Sequence, residues 1–411
     1  MKILFAATYP DQPIGYGKIA NILSNFLARI PGVELIYFGF SNFRNIAISR
    51  YIHPSITFID VVAEEKKIGS SALYGHDIIE HFMNLHKPDV LFLYNDIIVI
   101  SNIYNNLLEY RKNNKYKSIA YLDLVYDYER LDLLRFVDKN TDAIFTFSEY
   151  WKMHLAQLSI SPDKIFSFPH GFSSDFLSKK EKHIARSIIG IHPDDFIVLN
   201  TNRNSYRKAH DISFRAFLMF LKMNNCNPLI KMFINMYYDT DYGYNLFRIV
   251  ETECVKLGLD YNTIVQKHII SSNNMPGAVA DEYINNMYNA CDIGINTALG
   301  EGFGLCNMEH AALGHPQIVS AVGGLTDIFS KGNSVLIKPV ASISISNHVD
   351  AHGGDIHICS ATDFANAMDM YYKNPDLMNE HGQKISEDIL SRYSWQNILQ
   401  KFSDDLIKVL F

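Results

Sequence analysis

One pattern constrains this chain more than any other, and it runs twice: short apolar stretches, each followed by a longer segment with apolar residues at helical spacing. In the first series the apolar stretches are KILFAA (2–7), VELIYFGF (33–40), DVLFLY (89–94), KSIAYLDL (117–124) and AIFTFS (143–148). Between them lie segments such as YGKIANILSNFLARI (16–30), with Ile19, Ile22, Leu23, Phe26 and Leu27 on one helical face. Buried strands alternating with amphipathic helices predict βαβ units and a parallel, doubly wound sheet. After KIFSFPHG (164–171) the rhythm breaks: residues 172–195 are polar, with Pro193 and a charge run, KKEKH (179–183), that reads as a solvated helix face. A second series follows, in FIVLNT (196–201), LIKMFINMY (229–237), KHIIS (267–271), ACDIGINT (290–297), QIVSAV (317–322) and SVLIKP (334–339). A chain of 411 residues is also too long for one core. The expected fold class is α/β, with two Rossmann-like doubly wound domains, 1–172 and 173–390, facing across a cleft. Ligands of such sheets bind beyond the carboxyl ends of the strands, so the chemistry should lie in the loops that follow them.

Composition narrows the partners. The 37 basic and 44 acidic residues leave a net charge of −7 with no large basic field, which argues against nucleic acid. The five cysteines are scattered without a CxxC pair, which argues against a disulfide framework and a structural zinc site. MKILFAATYP reads as a first buried strand rather than a signal peptide. No run reaches the roughly 20 apolar residues of a membrane span. The expectation is a cytoplasmic protein with no transmembrane segment; oligomeric state is not legible.

Four loops draw attention. GYGKIA (15–20) matches a loose dinucleotide fingerprint, G-x-G-x-x-A, but TYPDQPI separates Ala7 from Gly15, and FGFSN (38–42) offers no ribose-binding acid. It still sets a flexible loop before a helix N-terminus, which suits an anion. TNRNSYRKAHD (201–211) places Arg203, Arg207 and Lys208 just after a strand, where forked and point cations suit a diphosphate. ALGEGFGLCNMEHAALGHP (298–316) carries Glu301 on a glycine-rich loop and Glu309 about one turn into the helix that follows, with Gly314 as its stop signal. Candidate roles for these two glutamates are an acid/base pair, a metal site, a sugar-nucleotide cradle or a plain loop-to-helix joint. Because Glu301 stays on the loop, a pair flanking one glycosidic bond is disfavoured. Finally, Asp239-Thr240-Asp241 imitates a D-x-D metal site but sits in a tyrosine-rich connection, and the dispersed histidines show no metal-ligand spacing.

EGFGLCNME (301–309) resembles the E-x7-E signature of family 4 retaining glycosyltransferases, and RNSYRK (203–208) resembles their R-x4-K pair. VADEYINNMYNACDIGINTALGEGFG (279–304) is similar to their helix, strand and loop into the signature, VGGLTDI (322–328) to their G-G-x-P-E loop, and FPHG (168–171) to their P-N-G element. YSWQNI (393–398) resembles the start of their last helix, so the segment 391–411 would pack back on the first domain. The resemblance implies a GT-B fold. It also implies Glu309 on the ribose, Glu301 on the sugar, Arg203 and Lys208 on the diphosphate, and backbone N–H groups of Phe303, Gly304 and Leu305 assisting. The Gly15–Gly17 loop would close over the phosphates. Two positions depart from the family: Asp123 stands where a histidine is frequent, a carboxylate suited to an acceptor or donor hydroxyl, and Cys306 replaces proline and reads as packing.

The expected function is therefore a metal-independent retaining glycosyltransferase that moves a sugar from a nucleoside-diphosphate sugar to an acceptor hydroxyl, without a further cofactor. GDP-mannose is the donor favoured by family frequency, beside UDP-glucose and UDP-N-acetylglucosamine. The rival readings are a nicotinamide-dependent oxidoreductase and a nucleotide-sugar-binding protein without transfer activity.

Overall fold

The computed structural model describes residues 1–12, 14–42, 49–70, 72–241, 243–271 and 280–410. Pro13, Tyr242, Val279 and Phe411, each inside a segment read above, lie outside the described residues. The chain forms two compact units. Unit 1 comprises Met1–His170, Ser346–Gly354 and the residues from Ile398 onward; unit 2 comprises Gly171–Ile345 and Asp355–Asn397.

Among the described residues unit 1 is built on seven strands: β1 (Lys2–Thr8), β2 (Glu34–Phe40), β3 (Thr57–Asp60), β4 (Val90–Asp96), β5 (Lys117–Asp123), β6 (Ala143–Thr146) and β7 (Ile165–Ser167). They are ordered β3-β2-β1-β4-β5-β6-β7, and every pairing is parallel. β1, β4 and β6 are apolar and buried almost throughout, because helices cover both faces of the sheet. Leu4, Phe38, Leu93 and Ile144 on the sheet share one core with Trp151 and Leu155 of the helix Glu149–Gln157. Phe402, from the last helix, stacks on Phe168 at 4.3 Å and meets Phe145 at 5.2 Å and Phe92 at 5.9 Å. Ser148, read as the end of an apolar run, instead caps the helix Glu149–Gln157 by accepting from the Trp151 N–H.

Among the described residues the main sheet of unit 2 has six strands: β8 (Phe196–Asn200), β9 (Ile230–Ile234), β10 (Ile269–Ser271), β11 (Ile293–Asn296), β12 (Gln317–Ser320) and β13 (Val335–Ile337). Their order is β10-β9-β8-β11-β12-β13, again all parallel. Two features escaped the sequence pattern. β3 is only four residues long, and β14 (Pro339–Ile345) with β15 (Gly354–Cys359) makes a separate two-stranded sheet whose first strand is mostly exposed. Neither presents the long apolar run that reveals a buried strand. Their connection, with the first residue of β15 (Ser346–Gly354), belongs to unit 1, where Asp350 accepts from the Tyr126 hydroxyl at 3.0 Å and the Ala351 carbonyl from Arg130 at 3.4 Å.

Candidate functional site

In unit 2 the strand order decides which loops meet. β8, β11 and β12 are adjacent, so the loops leaving their carboxyl ends converge. β8 delivers Asn202 and the short helix Tyr206–Lys208; β11 delivers Asn296 and the loop to the helix Leu305–Ala312; β12 delivers the helix Gly323–Ile328. Gly304, at φ 97°, turns the chain into the helix Leu305–Ala312 in a conformation that favours glycine. Gly324 lets the next helix approach closely: an added Cβ would lie 2.4 Å from the Gly302 carbonyl oxygen, and the Gly324 N–H donates to the Glu301 carbonyl at 3.0 Å.

The centre of this convergence is charged and buried. Lys208 and Glu301, 93 positions apart, are 8% and 6% exposed and pair directly, Nζ donating to Oε2. Lys208 Nζ also donates to Asn202 Oδ1 at 3.0 Å. Arg207 donates to the Gly300 carbonyl at 2.7 Å and approaches Glu301 Oε1 at 3.5 Å. Burial works to raise the Glu301 carboxyl, but Lys208 and Arg207 hold it down at about 2. Lys208 is drawn below the usual lysine range by burial, with Arg207 adding to that pull and Glu301 opposing it. The carboxylate is what makes a buried ammonium tolerable here.

A chain of buried amides supports the pair. Asn296 Nδ2 donates to Asn307 Oδ1 at 2.9 Å, Asn307 to Gln317 Oε1 at 2.9 Å, and Gln317 Nε2 meets His310 Nδ1 at 3.0 Å. Gly294 makes room for Gln317, because an added Cβ would lie 2.0 Å from Oε1. These residues were missed by sequence reasoning; the one signal on offer was that both β8 and β11 end in asparagine. Glu309 is also buried and accepts from the Tyr288 hydroxyl at 3.3 Å. The Cys306 thiol is pushed up by burial and by Glu309, so it stays protonated. All five cysteines are free thiols.

The structure thus brings Lys208, Glu301 and Arg207 together, with Phe303 and Gly304 on the same loop as Glu301 and Leu305 opening the helix that follows. It does not add Arg203 to that cluster. Its side chain is exposed, while its carbonyl takes His210 Nε2 at 3.1 Å. The sequence reading has Lys208 and Glu301 projecting from loops into a cleft, on opposite sides of the bond that breaks; the structure instead buries both and pairs them directly, because the loops from three strand ends close over them.

The remaining candidates lie in unit 1. Gly15 opens the helix Gly15–Leu27, and Gly17 packs so closely that a Cβ would lie 2.6 Å from the Gln12 carbonyl oxygen. Its missing side chain therefore serves the packing of its own loop. Between them, Tyr16 donates its hydroxyl to Asp123 Oδ2 at 2.5 Å, at the end of β5. Burial first, then Asp123 and Asp96, hold the Tyr16 hydroxyl well above its ordinary range, so it remains a donor. Its ring meets Tyr94 at 5.4 Å, and Tyr94 stacks on Tyr121 at 4.8 Å. Asp239 accepts from Asn245 Nδ2 at 3.1 Å. Among the described residues no group of three or more His, Cys, Asp or Glu side chains is placed to hold a metal ion, and no helix is long and apolar enough to cross a membrane.

Comparisons with known proteins agree with this architecture. The family described as Glycosyl transferases group 1 matches residues 262–352. An uncharacterized glycosyltransferase of Methanocaldococcus jannaschii is 26% identical over 226 residues, covering 55% of this chain and 48% of that relative. The chain spans about half the length, or less, of the curated relatives it matches. Sucrose-phosphate synthase from Thermosynechococcus elongatus has a similar structure, with a TM-score of 0.75 at 15% identity over 100% of this chain and 99% of that one. HepE from Anabaena, solved with UDP-glucose, has a TM-score of 0.70 at 15% identity over 99% and 100%. The fold is that of the GT-B glycosyltransferases, with two parallel-sheet α/β units.

Proposed function

We propose that this chain is a retaining glycosyltransferase of the family 4 type, moving a sugar from a nucleoside-diphosphate sugar to an acceptor hydroxyl. The observation that carries the reading is the buried cluster of Lys208, Arg207 and Glu301 at the carboxyl ends of β8 and β11, beside the glycine-opened start of the helix Leu305–Ala312. An ammonium has three donors, and Glu301 and Asn202 take two of those on Lys208. The third is available to a diphosphate oxygen, with Arg203 and the backbone at Phe303, Gly304 and Leu305 assisting. Glu301 would accept from hydroxyls of the sugar, and Glu309 from those of the ribose. Asp123 would bind a hydroxyl of the acceptor or of the donor.

In the reaction the bond from the anomeric carbon to the phosphate oxygen breaks and a bond to the acceptor oxygen forms on the same face. The acceptor's proton passes to the leaving diphosphate, whose growing charge a fixed cation stabilises. Fixed cations make a divalent metal dispensable in this reading. GDP-mannose is favoured by the family resemblance, and UDP-glucose by the ligand of HepE.

Calorimetric titration with GDP-mannose, UDP-glucose and UDP-N-acetylglucosamine, with and without EDTA, tests the proposal. Binding of at least one donor, followed by slow hydrolysis with retained anomeric configuration, is expected. Saturable NADH binding with none of the three donors bound would overturn the reading, and more than about a tenfold affinity loss in EDTA would overturn metal independence.

A further inference from the structure

The short helix that carries Lys208 presents Tyr206 to a groove. This groove, of about 530 Å³, is walled by Tyr206, Asp211, Asp239, Tyr244 and Arg248, within the size range of small-molecule sites. None of these residues is assigned to the donor, and Asp239 belongs to the D-x-D sequence that the donor reading leaves unused.

We propose that this groove binds a neutral saccharide. Its charges balance: Asp211, Asp239 and Glu253 stand against Arg215, Arg248 and Lys256, so neither an anion nor a cation is favoured as a whole. Glu253 is already satisfied, accepting from Arg215 at 2.9 Å through both oxygens and from Lys256 at 2.7 Å. Arg248 is exposed and has no carboxylate partner among the described residues. It offers the groove a planar set of donors, matched by carboxylate acceptors on Asp211 and Asp239. Tyr206 is 58% exposed and sits edge-on to Tyr244 at 5.0 Å, giving an apolar face beside those polar groups. An apolar ring face flanked by planar donors and acceptors, with no net charge, matches a sugar ring with its C–H faces and hydroxyls.

The groove wall and the Lys208 loop are one hydrogen-bonded piece. The Tyr244 hydroxyl shares its one proton between Asp211 at 3.1 Å and the Tyr206 carbonyl at 3.2 Å. Asn204 grips Tyr244 twice, accepting from its N–H at 2.9 Å and donating to its carbonyl at 2.6 Å. A saccharide held here would be fixed to the loop that carries Lys208. The proposal does not depend on the donor reading, since its residues and its ligand are separate.

The test titrates the full chain with maltose, cellobiose, mannobiose and chitobiose by saturation-transfer NMR, with glucose 6-phosphate as a charged comparator. At least one neutral disaccharide should bind saturably in the millimolar range. Arg248→Ala and Asp239→Ala should each weaken it by about tenfold, while calorimetric affinity for UDP-glucose or GDP-mannose stays unchanged in both variants. Arg248 and Asp239 lie on the surface of the groove, so neither change threatens folding. The proposal is overturned if no disaccharide binds, if glucose 6-phosphate binds more tightly than all four, or if binding survives both substitutions.

Discussion

At the carboxyl ends of its strands unit 2 buries charge against charge, whereas unit 1 sets tyrosine hydroxyls against carboxylates. Lys208, Glu301 and Arg207 form the first kind of edge, backed by the amide chain from Asn296 to Gln317. Tyr16 with Asp123, Tyr126 with Asp350 and Tyr150 with Asp127 form the second. The two differ in what they can meet. A cation with, among the described residues, one donor left over suits an anion, while carboxylates already held by hydroxyls suit a ligand that is itself hydroxylic. They differ also in what a single substitution leaves behind. Removing a partner in unit 2 strands a buried charge, and removing a tyrosine hydroxyl in unit 1 removes one hydrogen bond.

The largest effect should therefore come from the buried pair. Lys208→Ala is expected to destabilise unit 2 by about 3–5 kcal/mol, because Glu301 stays buried without its ammonium. Lys208→Ala with Glu301→Ala should be destabilised by less than the sum of the two single changes, as read from chemical denaturation of all four proteins. Additive losses would mean that the pair is not coupled, and the contrast between the two edges would fail.

The next effect concerns acid. His310 is lowered by burial to about 3 and His210 to about 4, and His315 lies well below its ordinary value, all in unit 2. In the unfolded chain these imidazoles take up protons near the ordinary 6.5, so the unfolded state binds more protons below that pH. Stability from their neutral burial is complete above 6.5 and is lost as pH falls towards 3, by about 1.4 kcal/mol per pKa unit for each group. Unit 1 has His170, lowered to about 3 by burial alone, as its counterpart. The two tryptophans report separately, since Trp151 is in the unit 1 core and Trp395 packs on Gly171 in unit 2. In Trp395→Phe and Trp151→Phe variants, fluorescence melts between pH 6.5 and 4 should fall faster for the unit 2 reporter. Equal shifts would remove the asymmetry.

Unit 1 should show a smaller effect of opposite sign. His352 lies 3.7 Å from Glu129, whose other oxygen accepts from the N–H groups of Val125 and Tyr126. Burial opposes the charged imidazole, but Glu129, Asp96 and Asp350 outweigh it and raise His352 to about 9. This contribution is complete below about 6.5 and is lost as pH rises through about 9. The ring is 23% exposed, so solvent screens part of it. His352→Gln should flatten the alkaline arm of the unit 1 melt and leave its acid arm alone.

The smallest change should be Tyr16→Phe. It removes one hydrogen bond to a carboxylate, worth roughly 1.5–3 kcal/mol if fully buried and less at this half-buried position. Calorimetric affinity for a nucleoside diphosphate should be unchanged. A loss there would show that the tyrosine edge takes part in holding the anion, and the proposed separation of roles would be wrong.

Much of the frame was legible in the chain. Strands such as LFAA in β1 and IGI in β11 announce themselves because burial on both faces leaves no polar position. Glu301, Gly304 and Glu309 were singled out because a glycine turn before a helix start is a local event. Arg203 and Arg207 could not be ranked that way. Both follow β8 within a few residues, and only the fold of the loop decides that Arg207 turns inward to Gly300 while Arg203 stays outside. β14 and β15 were unread because an exposed two-stranded sheet has no core face to pattern its residues.

The sequence by itself determined two series of buried parallel strands and the set of charged and glycine residues available at their ends, since these follow from hydrophobic period and local backbone preference. Tertiary structure decided which of those residues touch. Lys208 reaches Glu301 across 93 positions and Tyr16 reaches Asp123 across 107, because β8 lies beside β11 and the helix after β1 begins beside the end of β5. Residue spacing does not encode that adjacency. Hydrogen bonds act only within about 3 Å, so the order of strands in a sheet, and not their order in the chain, selects the partners.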